Sequence, residues 1–167
     1  MIKITITGEK EISSKFSEAP KVIRQTITSA MTKTMKRMEK DLETAAAKEF
    51  DIPKPVLAKW RIKSKRVGTN GLVWMGYNPI KSGYIGILRQ EDWGASARSY
   101  FFKGGFVATM NSGHKGIFMR AGKGRKPIRE QKVSLLKAPI LAAQVKTRAN
   151  EYYQQEIATQ LVYKLTK

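Results

Sequence analysis

Residues 111–130 read NSGHKGIFMRAGKGRKPIRE, which sets the protein's one histidine, His114, among glycines and the cations Lys115, Arg120, Lys123, Arg125, Lys126 and Arg129. Three chemistries use such residue types. A phosphate loop of the Walker kind needs Gly, four residues, then Gly-Lys-Ser/Thr, so that backbone amides cradle the phosphates and the hydroxyl holds magnesium. Here five residues separate Gly116 from Gly122-Lys123, and Gly124 stands where the hydroxyl is required. Nucleophilic catalysis would pair His114 with a hydroxyl such as Ser112 and an orienting carboxylate. The nearest acids in sequence are Glu130 and the pair Glu91 and Asp92, and spacing selects neither. Metal-dependent hydrolysis wants several clustered carboxylates, and residues 52–129 hold only Glu91 and Asp92. No catalytic set, cofactor site or metal site is expected.

What remains is a hairpin. Residues 116–120 read as one strand, 121–125 as a glycine-rich turn and 126–129 as the return, with Pro127 favouring an edge position. Its tip carries Lys123, Arg125 and Lys126 where glycines let the backbone approach a partner closely. With Arg120 and Arg129 at its base, this hairpin is the first candidate contact for a polyanion or an acidic protein surface.

The elements that must position it follow from periodicity. Ile2, Ile4 and Ile6 alternate with polar residues, predicting a strand. Over residues 20–50, Ile23, Ile27, Met31, Met35, Met38, Leu42, Ala45 and Ala46 recur every three or four positions, predicting a long amphipathic helix with start chemistry at Ser17, Glu18 and Pro20. Its methionines are expected in the core. Pro53 and Pro55 end it. Residues 60–67 and 72–77 read as a hairpin around a four-residue turn, 68–71, with Arg61, Lys63, Lys65 and Val67 on one side and Trp60, Ile62, Ser64 and Arg66 on the other. Its basic outer face follows, and Lys63, Lys65 and Arg66 join the candidate contacts. Residues 78–105 are loop-rich, and 106–110, 116–120 and 127–131 are short strand candidates. Over residues 138–165 the series Leu141, Val145, Ala149, Tyr153, Ile157, Leu161 and Leu165 advances by four, predicting one long helix whose stripe drifts by about 40° per step. The expected fold class is α+β: a single domain spanning 1–167, with a mainly antiparallel sheet in a basic region at 60–133 between the two long helices.

Composition gives the partner class. The chain has 167 residues, 32 Lys and Arg against 13 Asp and Glu, and a net charge of +19. The excess is uneven: residues 1–50 hold 10 basic and 7 acidic side chains, or +3, and residues 51–167 hold 22 and 6, or +16. A polyanion or an acidic protein is the natural partner for such a segment. The chain has no cysteine, which removes disulfides and thiolate ligands. No apolar run reaches the roughly 20 residues that cross a bilayer, and the first residues lack the pattern of a signal peptide, so a cytoplasmic site of synthesis and no membrane partner are expected.

The set Gly113-His114-x-Gly116-x-Phe118-x-Arg120, a short basic turn, then Arg125-x-Pro127-Ile128 and Glu130, resembles the signature of the minor tail protein Z family of tailed phages and prophages. The likeness runs more loosely from the first long helix through IPKPVLAKWRI to the C-terminal helix. After Pro-Ile the family pattern continues Gly-Pro-Ser, where this chain has Lys132-Val133-Ser134. The resemblance implies a non-enzymatic virion protein at the head-proximal end of the tail, assembled in the bacterial host cytoplasm. It implies as partners the tail terminator and other tail or head-completion proteins. By analogy with tail architecture, it also implies a homo-oligomer, a ring of six, around the DNA passage. The bottom-up alternative is a nucleic-acid-binding protein without sequence preference, with Trp60, Trp74, Trp93, Phe101 and Phe102 interleaved among cations.

Overall fold

The computed structural model describes residues 2–6, 21–68 and 70–165. Strand β1, Ile2–Ile6, lies where alternation predicts it. Helix α1, Lys21–Glu49, follows the predicted stripe, while Ser17, Glu18 and Pro20 lie outside the described residues. Met31, Met35, Met38, Leu42 and Ala46 are buried, so the methionines are core as expected. At the first turns the inward face is Thr26, Ala30 and Thr34, with Ile23 and Ile27 only half-buried.

Asp51 ends α1 in the left-handed region at φ 41°. Helix α2, Lys54–Trp60, then starts on the extended Pro53. Strands β2, Ile62–Val67, and β3, Asn70–Met75, form the predicted hairpin. Its connection is shorter than the four residues expected. Val67 pairs with Asn70, which leaves only 68–69 between the strands, with Gly68 at φ 62°. β1 adds antiparallel to the far side of β3, giving the order β1-β3-β2.

The stretch 78–105, expected to be loop-rich, holds four short paired strands that cover half of it. It holds β4, Ile80–Lys81, a 3₁₀ turn at Ser82–Tyr84, and the meander β5, Leu88–Glu91, β6, Gly94–Ala97, and β7, Tyr100–Lys103. Strands of four residues give almost no period-two signal, and only cross-strand pairing defines them. Next come β8, Phe106–Thr109, β9, Lys115–Arg120, β10, Ile128–Glu130, and β11, Lys132–Val133. The fold is α+β as expected, with four small antiparallel sheets among the described residues in place of one larger sheet.

The predicted C-terminal helix is two: α3, Ala138–Thr147, and α4, Ala149–Leu165. At Arg148 the amide turns back to the Val145 carbonyl at 3.2 Å. The break has a packing reason. A stripe advancing strictly by four walks off a straight partner, and the buried set instead shifts step, running Leu141, Ala142, Val145, Ala149, Tyr152, Tyr153 and Gln160. This keeps α4 against α1. The contact is sealed by Tyr152 Oη donating to Asp41 at 2.5 Å, by Arg37 donating to Gln155 at 3.0 Å, and by the Arg37 guanidinium 3.9 Å above the Tyr152 ring.

Two cores result. The larger joins α1, α2, β2, β3, α3 and α4 with Ile80, Ile85, Val133 and Leu135. The smaller is Ala95, Ala97 and Ile117, flanked by Leu88, Phe102 and Val107, and it glues the β5–β7 sheet to the β8–β10 sheet. Phe102 borders both. A polar clasp fixes the β meander to the end of α1: Asp51 accepts Arg98 Nε–H at 2.9 Å and the Ser99 amide at 3.1 Å, and Tyr100 Oη donates to the Phe50 carbonyl at 2.5 Å. The two hydrogen bonds hold the Asp51 carboxyl below the usual aspartate range, that of Ser99 first.

Candidate polyanion interface

The basic hairpin is β9 and β10, paired Ile128 to Arg120, Arg129 to Met119 and Glu130 to Phe118. β10 is an edge strand, consistent with Pro127 just before it. Every residue of the tip, 121–127, is exposed, so Lys123, Arg125 and Lys126 all face solvent. The Lys126-Pro127 peptide is cis. Arg120 and Arg129, at the base, are exposed as well. None of these five cations has a hydrogen-bond or ion-pair partner among the described residues.

The base of the hairpin is rigid, and the motif residues make it so. Glu130 is only 10% exposed at its side chain, and its two oxygens face His114 Nε2 at 2.6 Å and Lys81 Nζ at 3.1 Å. Gly116 is what lets the carboxylate lie there: a Cβ on it would stand 2.9 Å from Glu130 Oε1. Gly113 turns the chain at φ 78°, and Phe118 is buried with its ring 6.4 Å from that of Phe106. Ser82, fully buried, accepts the Ile117 amide on Oγ at 2.9 Å and donates its own amide to the Gln131 carbonyl, which locks the 3₁₀ turn under β9. Gly83 allows that closeness, because a Cβ there would meet the Lys115 carbonyl oxygen at 2.2 Å.

His114 thereby ties the loop before β9 to β10. Its ring lies 5.6 Å from Tyr84, and Tyr84 stacks on Trp60 at 5.7 Å. No hydroxyl is hydrogen-bonded to it among the described residues, and no group of three or more His, Cys, Asp or Glu side chains gathers there or elsewhere among them. Also among the described residues, no helix is long and apolar enough to cross a membrane.

Lys63, Lys65 and Arg66 lie exposed on β2. They stand on the β1-β3-β2 sheet, whereas the hairpin belongs to the β8–β10 sheet. Arg66 also turns back to the Gly68 carbonyl at 3.2 Å.

Sequence reasoning missed a third feature. A cavity of about 260 Å³ is lined by Trp60, Arg61, Pro79, Ile80, Lys81, Tyr84 and Lys132. Arg61 builds its wall, donating to the carbonyls of Trp60, Asn78 and Pro79 at 2.7 to 2.8 Å, and burial lowers its pKa. Lys81 and Lys132 oppose each other in the β4–β11 ladder. Nothing in the spacing of residues 60, 81, 84 and 132 announces this grouping, although the aromatic residues among basic ones were its available signal.

No known protein family, curated protein or solved structure matches this chain.

Proposed function

We propose that this chain is a structural virion protein that completes the head-proximal end of a phage tail and supports head–tail joining, forming part of the surround of the DNA passage. The observation that carries the reading is the β9–β10 hairpin, whose fully exposed basic tip stands on a base pinned by Glu130. A rigid stem with a cationic, glycine-rich tip suits close contact with phosphates or an acidic ring without reading sequence. Of the motif residues that suggested the tail family, Gly116, Phe118 and Ile128 lie in the strands of this stem, Gly113 and His114 in the loop that leads into it and Pro127 at the end of the tip, and His114 serves the stem mechanically. The protein works without a cofactor, as a homo-oligomer among tail terminator and head-completion proteins.

Electron microscopy of lysates from the source phage or prophage carrying an early stop in this gene tests the reading. Filled heads beside full-length unattached tails are expected, and normal infectious particles would overturn it. The second reading, a non-sequence-specific nucleic-acid-binding protein, draws on the exposed cations Lys63, Lys65 and Arg66 of β2. A dedicated binder holds DNA at physiological ionic strength with a steep dependence on salt, whereas a channel part binds weakly before it assembles.

A further inference from the structure

The tip of the β5–β6 hairpin is chemically opposite to everything around it. Residues 52–129 contain two acids, Glu91 and Asp92, and both sit on this tip beside Trp93. All three are exposed, Trp93 at 81% of its surface, the most of any large apolar side chain described. Neither carboxylate has an ion-pair partner among the described residues. The tip is also stiff. Gln90 bridges it, donating to the Gly94 carbonyl at 2.7 Å and accepting the Val107 amide at 2.8 Å, and the Trp93 carbonyl accepts the Gly104 amide at 2.8 Å. A held, exposed indole flanked by two carboxylates has the character of an interface anchor, where tryptophan is enriched and preorganisation limits the entropy lost on binding.

The matching surface is the cavity beside Trp60. Its volume, about 260 Å³, falls below the roughly 300–1,000 Å³ usual for small-molecule sites and is on the scale of one large side chain. Its aromatic wall is Trp60 and Tyr84, 47% and 42% exposed, and its rim carries two lysines directly opposite one another. Like charges opposed across a ladder destabilise it. Glu130 answers Lys81, while Lys132 has no partner among the described residues. An anion arriving at the rim relieves that repulsion, and an indole entering below it meets aromatic and aliphatic surface. Within one chain the tip does not fill the cavity, since no tip residue lines it and Trp93 stays exposed.

We propose that the Glu91, Asp92 and Trp93 tip of one copy seats in the Trp60, Tyr84 and Lys132 cavity of a second copy. The contact joins two different surfaces of the same chain, so it is heterologous and propagates head to tail, closing into a ring when the rotation per subunit permits. The net charge of each copy is largely screened beyond the roughly 8 Å Debye length in physiological salt, while the tip and the rim meet well inside it. This deepens the proposed function by naming the self-contact of its ring, and it rests on that reading for its purpose.

Purified protein is tested by analytical ultracentrifugation. The wild type is expected to associate at about 100 µM, far above a micromolar dissociation constant. Glu91→Lys with Asp92→Lys, and separately Lys132→Glu, should each weaken association at least tenfold while leaving the circular dichroism unchanged. Mixing the two variants should restore the larger assembly from alternating copies, because the intact tip of one meets the intact cavity of the other and the reversed tip meets the reversed cavity. Carrying all three changes on one chain should restore the larger assembly. As the chain has no cysteine, Asp92→Cys with Lys132→Cys should give disulfide-linked multimers that reducing agent dissolves. A monomeric wild type, association indifferent to both charge reversals, or a mixture that stays monomeric would overturn the contact. The microscopy of the stop mutant does not depend on this contact, so either reading can fail alone.

Discussion

His114 Nε2 stands 2.6 Å from Glu130 Oε1, and this one contact joins the loop before β9 to the strand after the basic tip. It closes the stem across 16 positions of sequence, with Lys81 held on the other carboxylate oxygen. Glu130→Ala removes the carboxylate that both contacts share and leaves His114 Nε2 unpaired at a half-buried site, with Lys81 exposed. Destabilisation of roughly 1–3 kcal/mol is expected in urea unfolding. Hydrogen exchange should report the loss first at the β9 and β10 amides, with those of α1 following only the global change.

The exposed tip predicts the reverse pattern. Replacing Lys123, Arg125 and Lys126 together by alanine should leave the melting temperature nearly unchanged, because none of the three has a partner among the described residues. Duplex DNA binding should weaken at every sequence alike, and the slope of log affinity against log salt should fall by up to about three. Fluorescence anisotropy at several salt concentrations measures both. An unchanged slope would remove the tip from the interface.

Asp51 gives a pH dependence with a definite sign. Its folded pKa is lowered by the hydrogen bonds from Ser99 and Arg98, so its contribution is present above the ordinary aspartate value and is lost as pH falls through the lowered one. The clasp between α1 and the β meander should therefore weaken below roughly pH 4. Asp51→Asn, which tolerates the left-handed backbone, should lower the melting temperature at pH 7 and should converge with the wild type in strong acid.

Among the described residues Thr34 Oγ1 has no hydrogen-bond partner, in a side chain that is fully buried on α1. Thr34→Val keeps the shape and removes the desolvated oxygen. A gain of about 1 kcal/mol is expected, read as a higher denaturant midpoint with an unchanged slope.

Two glycines should behave oppositely on replacement by alanine. Gly83→Ala drives a Cβ to 2.2 Å from the Lys115 carbonyl oxygen, so it should cost at least about 2 kcal/mol or prevent folding. Gly122→Ala meets nothing within 4 Å and should be neutral or slightly stabilising. Thermal melts of the pair separate crowding from a general effect of the substitution.

Much of the scaffold was legible before any coordinates. The period of Met31, Met35, Met38 and Leu42 marks α1 because a helix repeats its inward face every three or four residues whatever lies opposite. The hairpins at β2–β3 and β9–β10 showed through their glycine turns. The meander β5–β7 did not, because four-residue strands exist only through their neighbours. The single C-terminal helix was misread at Arg148, since sequence period shows that a stripe exists but not how a neighbouring helix of fixed direction makes it change step.

The sequence by itself determined the charge of +19, the absence of thiol chemistry, the α+β class and the presence of a basic hairpin, because each depends on composition or on residues close together in the chain. Tertiary structure decided which acid His114 meets, that the candidate cations stand on two different sheets, and that Trp60, Lys81, Tyr84 and Lys132 line one cavity. Those relations span tens of residues and depend on strand pairing, the Ser82 lock and the packing of two cores. Local periodicity carries no information about such closures, since each is set by which distant surfaces exclude water together.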